Sequence, residues 1–211
     1  NLRLEDIVLQ TESINSSKQE KQTYIYVGFV DTPGLFASII RHVIKQKYVH
    51  VVLGLDAGLD EAYSVGRRNP AIPIFAGFEK EEKSRILRVF PNADYMVCRI
   101  ACTEEQKDYI KNMLDLCMKE RYQYHYTVLG LPFLLCNIPF YQENHYTCSS
   151  YLARLLTSAG VVHFDKHFSL VTPRDFMEYP DKEIIFEGAL RELVRDTEAA
   201  YAENGVVRYE Y

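Results

Sequence analysis

Residues 145–160, HYTCSSYLARLLTSAG, constrain the fold more than any other stretch of this 211-residue chain. Leu152, Leu155 and Leu156 recur at helical spacing and predict an amphipathic helix. Thr147 is the predicted N-cap and Gly160 the predicted stop. Cys148 then falls in the first turn. There the positive end of the helix dipole and the unpaired N–H groups lower a thiol's pKa and can hold an oxyanion. Such a thiol is a candidate nucleophile if a base reaches it. A cysteine taken alone more often simply packs.

Before that helix the periodic segments alternate. Tyr24–Val30 and 48–55 read as strands, and 35–46, LFASIIRHVIKQ, traces one helical face. The turn DAG (56–58) leads to a returning strand over 59–65. A Pro/Gly-broken region is expected from Gly66 to Gly77, followed by the charged run EKEEK. Residues 93–101 read as a buried strand and 104–121 as a helix. The aromatic stretch 122–146 is expected to be irregular, with Leu129–Leu135 too apolar to be exposed. A short helix opened by Thr-Pro (171–179), a strand near 183–187 and a helix near 188–203 complete the order. Residues 11–22, polar and Ser/Lys/Gln-rich, read as a mobile loop. No repeat or linker divides the chain, so a single domain spanning 1–211 of class α+β is expected.

Composition excludes more than it identifies. A net charge of −5 gives no support to a nucleic-acid surface. No apolar run is long enough for stable membrane insertion. The opening NLRLEDIVLQ lacks a basic and then apolar region, so no signal peptide is expected within it, although the chain does not start with Met. Five cysteines cannot all pair internally, which favours free thiols and a reducing, cytoplasmic location. Cys98 and Cys102 have no second pair of ligands following them, so neither a metal nor any cofactor is expected. DTPG (31–34) resembles a GTPase switch motif but lacks the phosphate-binding loop that it requires.

The base that Cys148 needs is assigned to His50, in KYVHVVLGLD. On a strand His50, Val52 and Gly54 share one face, and a sheet holds an imidazole rigidly. A histidine among β-branched residues is more often a satisfied core group. Glu61, across the DAG turn, is the first choice to accept the second imidazole N–H, with Tyr63, on Glu61's face, second and Ser64 third. His145 is too local to Cys148. His163 and His167, flanking an aspartate, are weaker as an alternative base or metal pair.

Taken together, four segments in order resemble the circularly permuted branch of the NlpC-type papain-like cysteine hydrolases. They are FASIIRHVIKQKYVHVVLGLD (36–56), LDEAYSVGRR (59–68), HYTCSSYLARLL (145–156) and VTPRDFMEYP (171–180). In that branch the histidine strand precedes the cysteine helix. The resemblance implies an antiparallel sheet packed on the helix that carries the nucleophile. It implies Cys148 as nucleophile, His50 as base, and a third polar residue on the strand after the histidine, with Glu61 the choice. Tyr124 and Tyr126, with Tyr63, are the substrate-lining candidates. The reaction implied is hydrolysis of an amide in a peptide, a cell-wall-type peptide or an acylated small molecule, as in a thiol peptidase or amidase. A thiol acyltransferase acting on lipid-type acyl groups and a non-catalytic papain-like binding module are the alternatives. Oligomeric state is not legible.

Overall fold

A computed structural model describes residues 22–31, 47–69, 72–127 and 130–203. The helix expected at 35–46 lies outside them, as does nearly all of the expected loop at 11–22.

Strands β1 (Thr23–Asp31), β2 (His50–Gly54), β3 (Ala62–Asn69), β4 (Ile72–Glu81), β5 (Asp94–Cys102) and β8 (Lys182–Ala189) form one sheet in the order β4-β3-β2-β1-β5-β8. Every neighbouring pair in it is antiparallel. Six α-helices are present among the described residues: α1 (Lys83–Val89), α2 (Glu104–Lys119), α3 (Gly130–Leu135), α4 (Cys148–Ser158), α5 (Pro173–Met177) and α6 (Leu190–Glu203). A separate two-residue parallel pair joins β6 (His125–Tyr126) to β7 (His145–Tyr146). The class is α+β with an antiparallel sheet.

Side-chain alternation divides the sheet into two apolar faces. Ile25, Val27 and Phe29 of β1 pack with Val51, Leu53, Tyr63 and Phe78 against Ile110 and Leu114 of α2 and Leu152 and Leu156 of α4. Val30 joins Val52, Ala62, Tyr95 and Val97 on the other face, under Ile86 of α1 and Leu190 and Leu193 of α6. Leu152 and Leu156 are fully buried, each worth about 1.5–3 kcal/mol of apolar transfer, so the stripe on α4 anchors the helix to the sheet.

Two expectations are corrected here. Residues 66–69 and 72–77 are not a broken loop but belong to the paired strands β3 and β4, in which Gly66 and Gly77 are partners. Gly77 serves close approach: a Cβ there would come within 2.5 Å of both the Arg68 guanidinium and the Tyr124 carbonyl, groups that hydrogen bond to each other. Phe133 and Leu135, in the apolar segment expected to be covered, are exposed. Phe133 is 39% and Leu135 61% exposed, because α3 is only six residues long and covers little with either face.

Candidate active site

The start of α4 is fixed by a reciprocal capping box. The Thr147 hydroxyl accepts from the Ser150 N–H at 3.1 Å, and the Ser150 hydroxyl accepts from the Thr147 N–H at 2.8 Å. Ser149 donates to the Val171 carbonyl at 2.7 Å, tying the same turn to the segment before α5. At the other end Gly160 takes φ +69°, the left-handed conformation that ends helices. Both helix signals in the sequence are therefore present, and Cys148 occupies the first helical position, 4% exposed.

His50 opens β2 and is hydrogen bonded to Cys148. β2 and β3 pair at Leu53–Tyr63 and Gly54–Ala62. Nearer His50, the Val51 N–H donates instead to the Cys148 sulfur, as does the Ser149 N–H. Burial by itself would push the thiol's pKa up. The charge and hydrogen bond of His50, with those two amides, outweigh it and hold the thiol below its ordinary value. Burial opposes the charged imidazole as well, but Cys148 and then Glu81 outweigh it and raise His50 to about 10. Both shifts act in one direction: each group favours the charged form of the other.

Glu81, not Glu61, is the carboxylate against His50. Its Oε1 lies 3.1 Å from His50 Nε2 and accepts from the Ser64 hydroxyl at 2.5 Å. With Nε2 turned to Glu81, the other ring nitrogen is left for the thiol. The Glu61 assignment fails for two reasons. Glu61 precedes β3 and is exposed, its N–H held by the Asp56 carboxylate at 2.7 Å in the turn. The register that pairs Leu53 with Tyr63 also sends Tyr63 to the face opposite His50, where it stacks on Phe78. Ser64 is the residue of that trio on the His50 face, and it is fully buried.

Glu81 sits opposite Ala62 on β4, with Glu79 two residues earlier on the same face. Glu79 pairs with Arg68 at 3.3 Å and Arg121 at 3.4 Å. In sequence Glu81 belongs to the charged run EKEEK, to which no role is assigned. The signal that could have singled it out was period two: Glu79 and Glu81 alternate with Phe78 and Lys80, as a half-buried strand requires. Gly66 completes the site. A Cβ at that position would lie 2.9 Å from His50 Cε1 and 3.1 Å from the Ser64 hydroxyl, so the missing side chain is the space that the imidazole occupies.

The tyrosines separate. Tyr126 is aligned with Tyr146, two residues before Cys148, and the charge of Cys148 helps burial to raise its phenol. Tyr124 is half-buried against the core, its hydroxyl accepting from Cys117 and its ring near Phe78, Tyr146 and Tyr151. Tyr63, packed on Phe78, is likewise a core residue. His163 pairs with exposed Asp165, and His167 contacts Ser169, both by local bonds. All five cysteines are free thiols. Among the described residues no three His, Cys, Asp or Glu side chains are grouped to hold a metal ion, and no helix is long and apolar enough to cross a membrane. No family model, curated protein or solved structure matches the chain.

Proposed function

We propose that this chain is a cysteine hydrolase of papain-like architecture that cleaves amide bonds through Cys148, His50 and Glu81. The observation that carries the reading is the hydrogen-bonded line from Cys148 at a helix start, through His50, to the Glu81 carboxylate. It has the nucleophile, the base and the group that orients the base, each on a different rigid element.

The Cys148 thiolate attacks the carbonyl carbon of a bound amide. The carbonyl π pair moves to oxygen, and the resulting oxyanion is held by the Cys148 N–H, a first-turn amide that the helix itself does not use. The Tyr126 hydroxyl is the second donor in this scheme. His50 gives its proton to the amide nitrogen as the C–N bond breaks, leaving a thioester and releasing the amine. Neutral His50 then takes a proton from water, whose oxygen attacks the thioester. Collapse expels the thiolate and the free acid. Glu81 stays ionised throughout and holds the ring while its charge varies.

The test is acylation by p-nitrophenyl acetate followed by peptide mapping. One acetyl group is expected on Cys148, formed with a burst of p-nitrophenol that is absent in Cys148→Ala. Acetylation of exposed Cys136 in preference to Cys148, or none at either, would overturn the assignment.

A further inference from the structure

Tyr126, the second oxyanion donor of the proposed scheme, sits on a strand of two residues. Its ladder neighbour among the described residues is β7, itself two residues long. Such a pair is too small to fix the direction of a side chain by its own hydrogen bonds.

What holds β6 comes from the large sheet. Arg68 of β3 reaches past Gly77 of the edge strand β4 to the turn that leads into β6. Its Nη2 donates to the Arg121 carbonyl at 2.8 Å and to the Tyr124 carbonyl at 3.2 Å. Its Nε lies 3.3 Å from Glu79 Oε1, and the other oxygen of that carboxylate is 3.4 Å from Arg121 Nη1. The Arg68 carbonyl accepts from Arg85 of α1 at 2.6 Å, so the main chain behind the guanidinium is pinned as well. Gly77 leaves the room for this junction, at a strand position where glycine is otherwise unfavourable. One end of the strut stands on β3 and β4, which carry Ser64 and Glu81. The other end grips the carbonyl two residues before Tyr126.

We infer that Arg68 is a positioning residue for the proposed hydrolysis: it sets β6 against β4 and so aims the Tyr126 hydroxyl at the carbonyl oxygen of the amide that Cys148 attacks. The inference rests on the mechanism proposed above. Arg68 acts through the strand and not on the reacting atoms. An arginine suits the task because its planar fork addresses two carbonyls and a carboxylate from separate nitrogens, whereas a lysine presents its donors from one.

The test compares two reactions of the same thiol in the full chain. Iodoacetamide alkylates Cys148 by displacement: the sulfur forms a bond to the methylene carbon as iodide leaves, and no oxyanion forms. Acylation by p-nitrophenyl acetate passes through an oxyanion before p-nitrophenolate leaves. In Arg68→Lys acylation is expected to be about tenfold slower and alkylation unchanged, because a misplaced donor costs rate only where charge develops on oxygen. Tyr126→Phe should slow acylation on the order of 10²-fold. Adding Arg68→Lys to it should slow acylation no further, since both changes act through one hydroxyl. Glu79→Gln keeps the shape of the side chain but removes its ion pairs, and should show the same selectivity to a smaller degree. It decides the matter if Arg68→Lys loses the far-ultraviolet spectrum of the folded chain. Unchanged acylation in the folded strut variants or in Tyr126→Phe would overturn the inference and leave Cys148 as nucleophile. So would alkylation that slows in step with acylation, or an additive loss in the double variant. A wild-type chain that is not acylated at Cys148 would overturn the proposed mechanism, and the inference with it.

Discussion

Glu81 Oε1 receives His50 Nε2 at 3.1 Å and the Ser64 hydroxyl at 2.5 Å, so one carboxylate oxygen joins two strands to the catalytic imidazole of the proposed mechanism. Removing its charge separates orientation from electrostatics. Glu81→Gln can still accept from the ring but cannot balance an imidazolium. It is expected to lower kcat on the order of 10²-fold, while Glu61→Gln, at an exposed position, keeps wild-type turnover. Steady-state rates of the two variants on one substrate decide the matter. Equal activity in both would remove Glu81 from the mechanism.

Ser64 is fully buried and its hydroxyl has a charged acceptor. Ser64→Ala deletes that bond and should cost roughly 1.5–3 kcal/mol of stability, the range for hydrogen bonds to charged groups. The Glu81 carboxylate then loses one of its two anchors, so kcat should fall as well. Urea unfolding alongside kinetics distinguishes the two effects, and Ser64→Thr, which restores a hydroxyl, should recover part of both.

The pH dependence follows from the two shifts. The thiol is held down, so alkylation of Cys148 by iodoacetamide should remain fast below the pH at which ordinary cysteines react, and decline only as acid protonates the thiolate. Amide hydrolysis has in addition an alkaline limb. It needs the imidazolium, and that is lost as the pH rises through the raised value of about 10 for His50. Cys98 is the contrast, since burial pushes its thiol up to about 11 and it should stay unlabelled at neutral pH. Mass-spectrometric rates for each cysteine across a pH series test this. Labelling of Cys98 ahead of Cys148 contradicts it.

Gly66→Ala probes the space that the imidazole fills. The new Cβ, 2.9 Å from His50 Cε1, can be accommodated only if the ring moves. A loss of kcat about tenfold or greater, with the far-ultraviolet spectrum unchanged, is expected, because a displacement of this kind breaks proton-transfer geometry before it disrupts the core. Wild-type kcat would mean that the ring has slack.

Gly54 and Gly28 make room for Leu59, a buried residue at φ 55° whose methyl groups would lie 2.5 and 2.6 Å from a Cβ at either position. Overpacking of this kind typically costs about 1–3 kcal/mol. Gly54→Ala should therefore lower the urea midpoint without altering Cys148 alkylation, because the clash is with Leu59, Asp56 and Tyr26 and not with Cys148 or His50.

Local chemistry by itself determined much of this protein. The capping pair Thr147–Ser150, the leucine stripe of α4, the Gly160 stop and the first-turn thiol follow from residues within one helix length, and they stand as the pattern implies. The strands near 24–30, 48–55 and 93–101, the α2 helix and the Thr-Pro start of α5 were legible for the same reason. Sequence also paired Cys148 with His50, though only as two residue types that a shared chemistry requires. What the tertiary structure decided was register. Pairing Leu53 with Tyr63 turns Tyr63 away from His50 and Ser64 toward it. Pairing Ala62 with Glu81 then brings a carboxylate from the charged run EKEEK to the imidazole, 31 residues distant in sequence. A shift of one residue along either ladder would reverse every side chain, and no local propensity encodes that choice. The exposed leucine of α3 has the same origin. Whether an apolar side chain is covered depends on which distant elements reach it, and that is settled only when the layers pack.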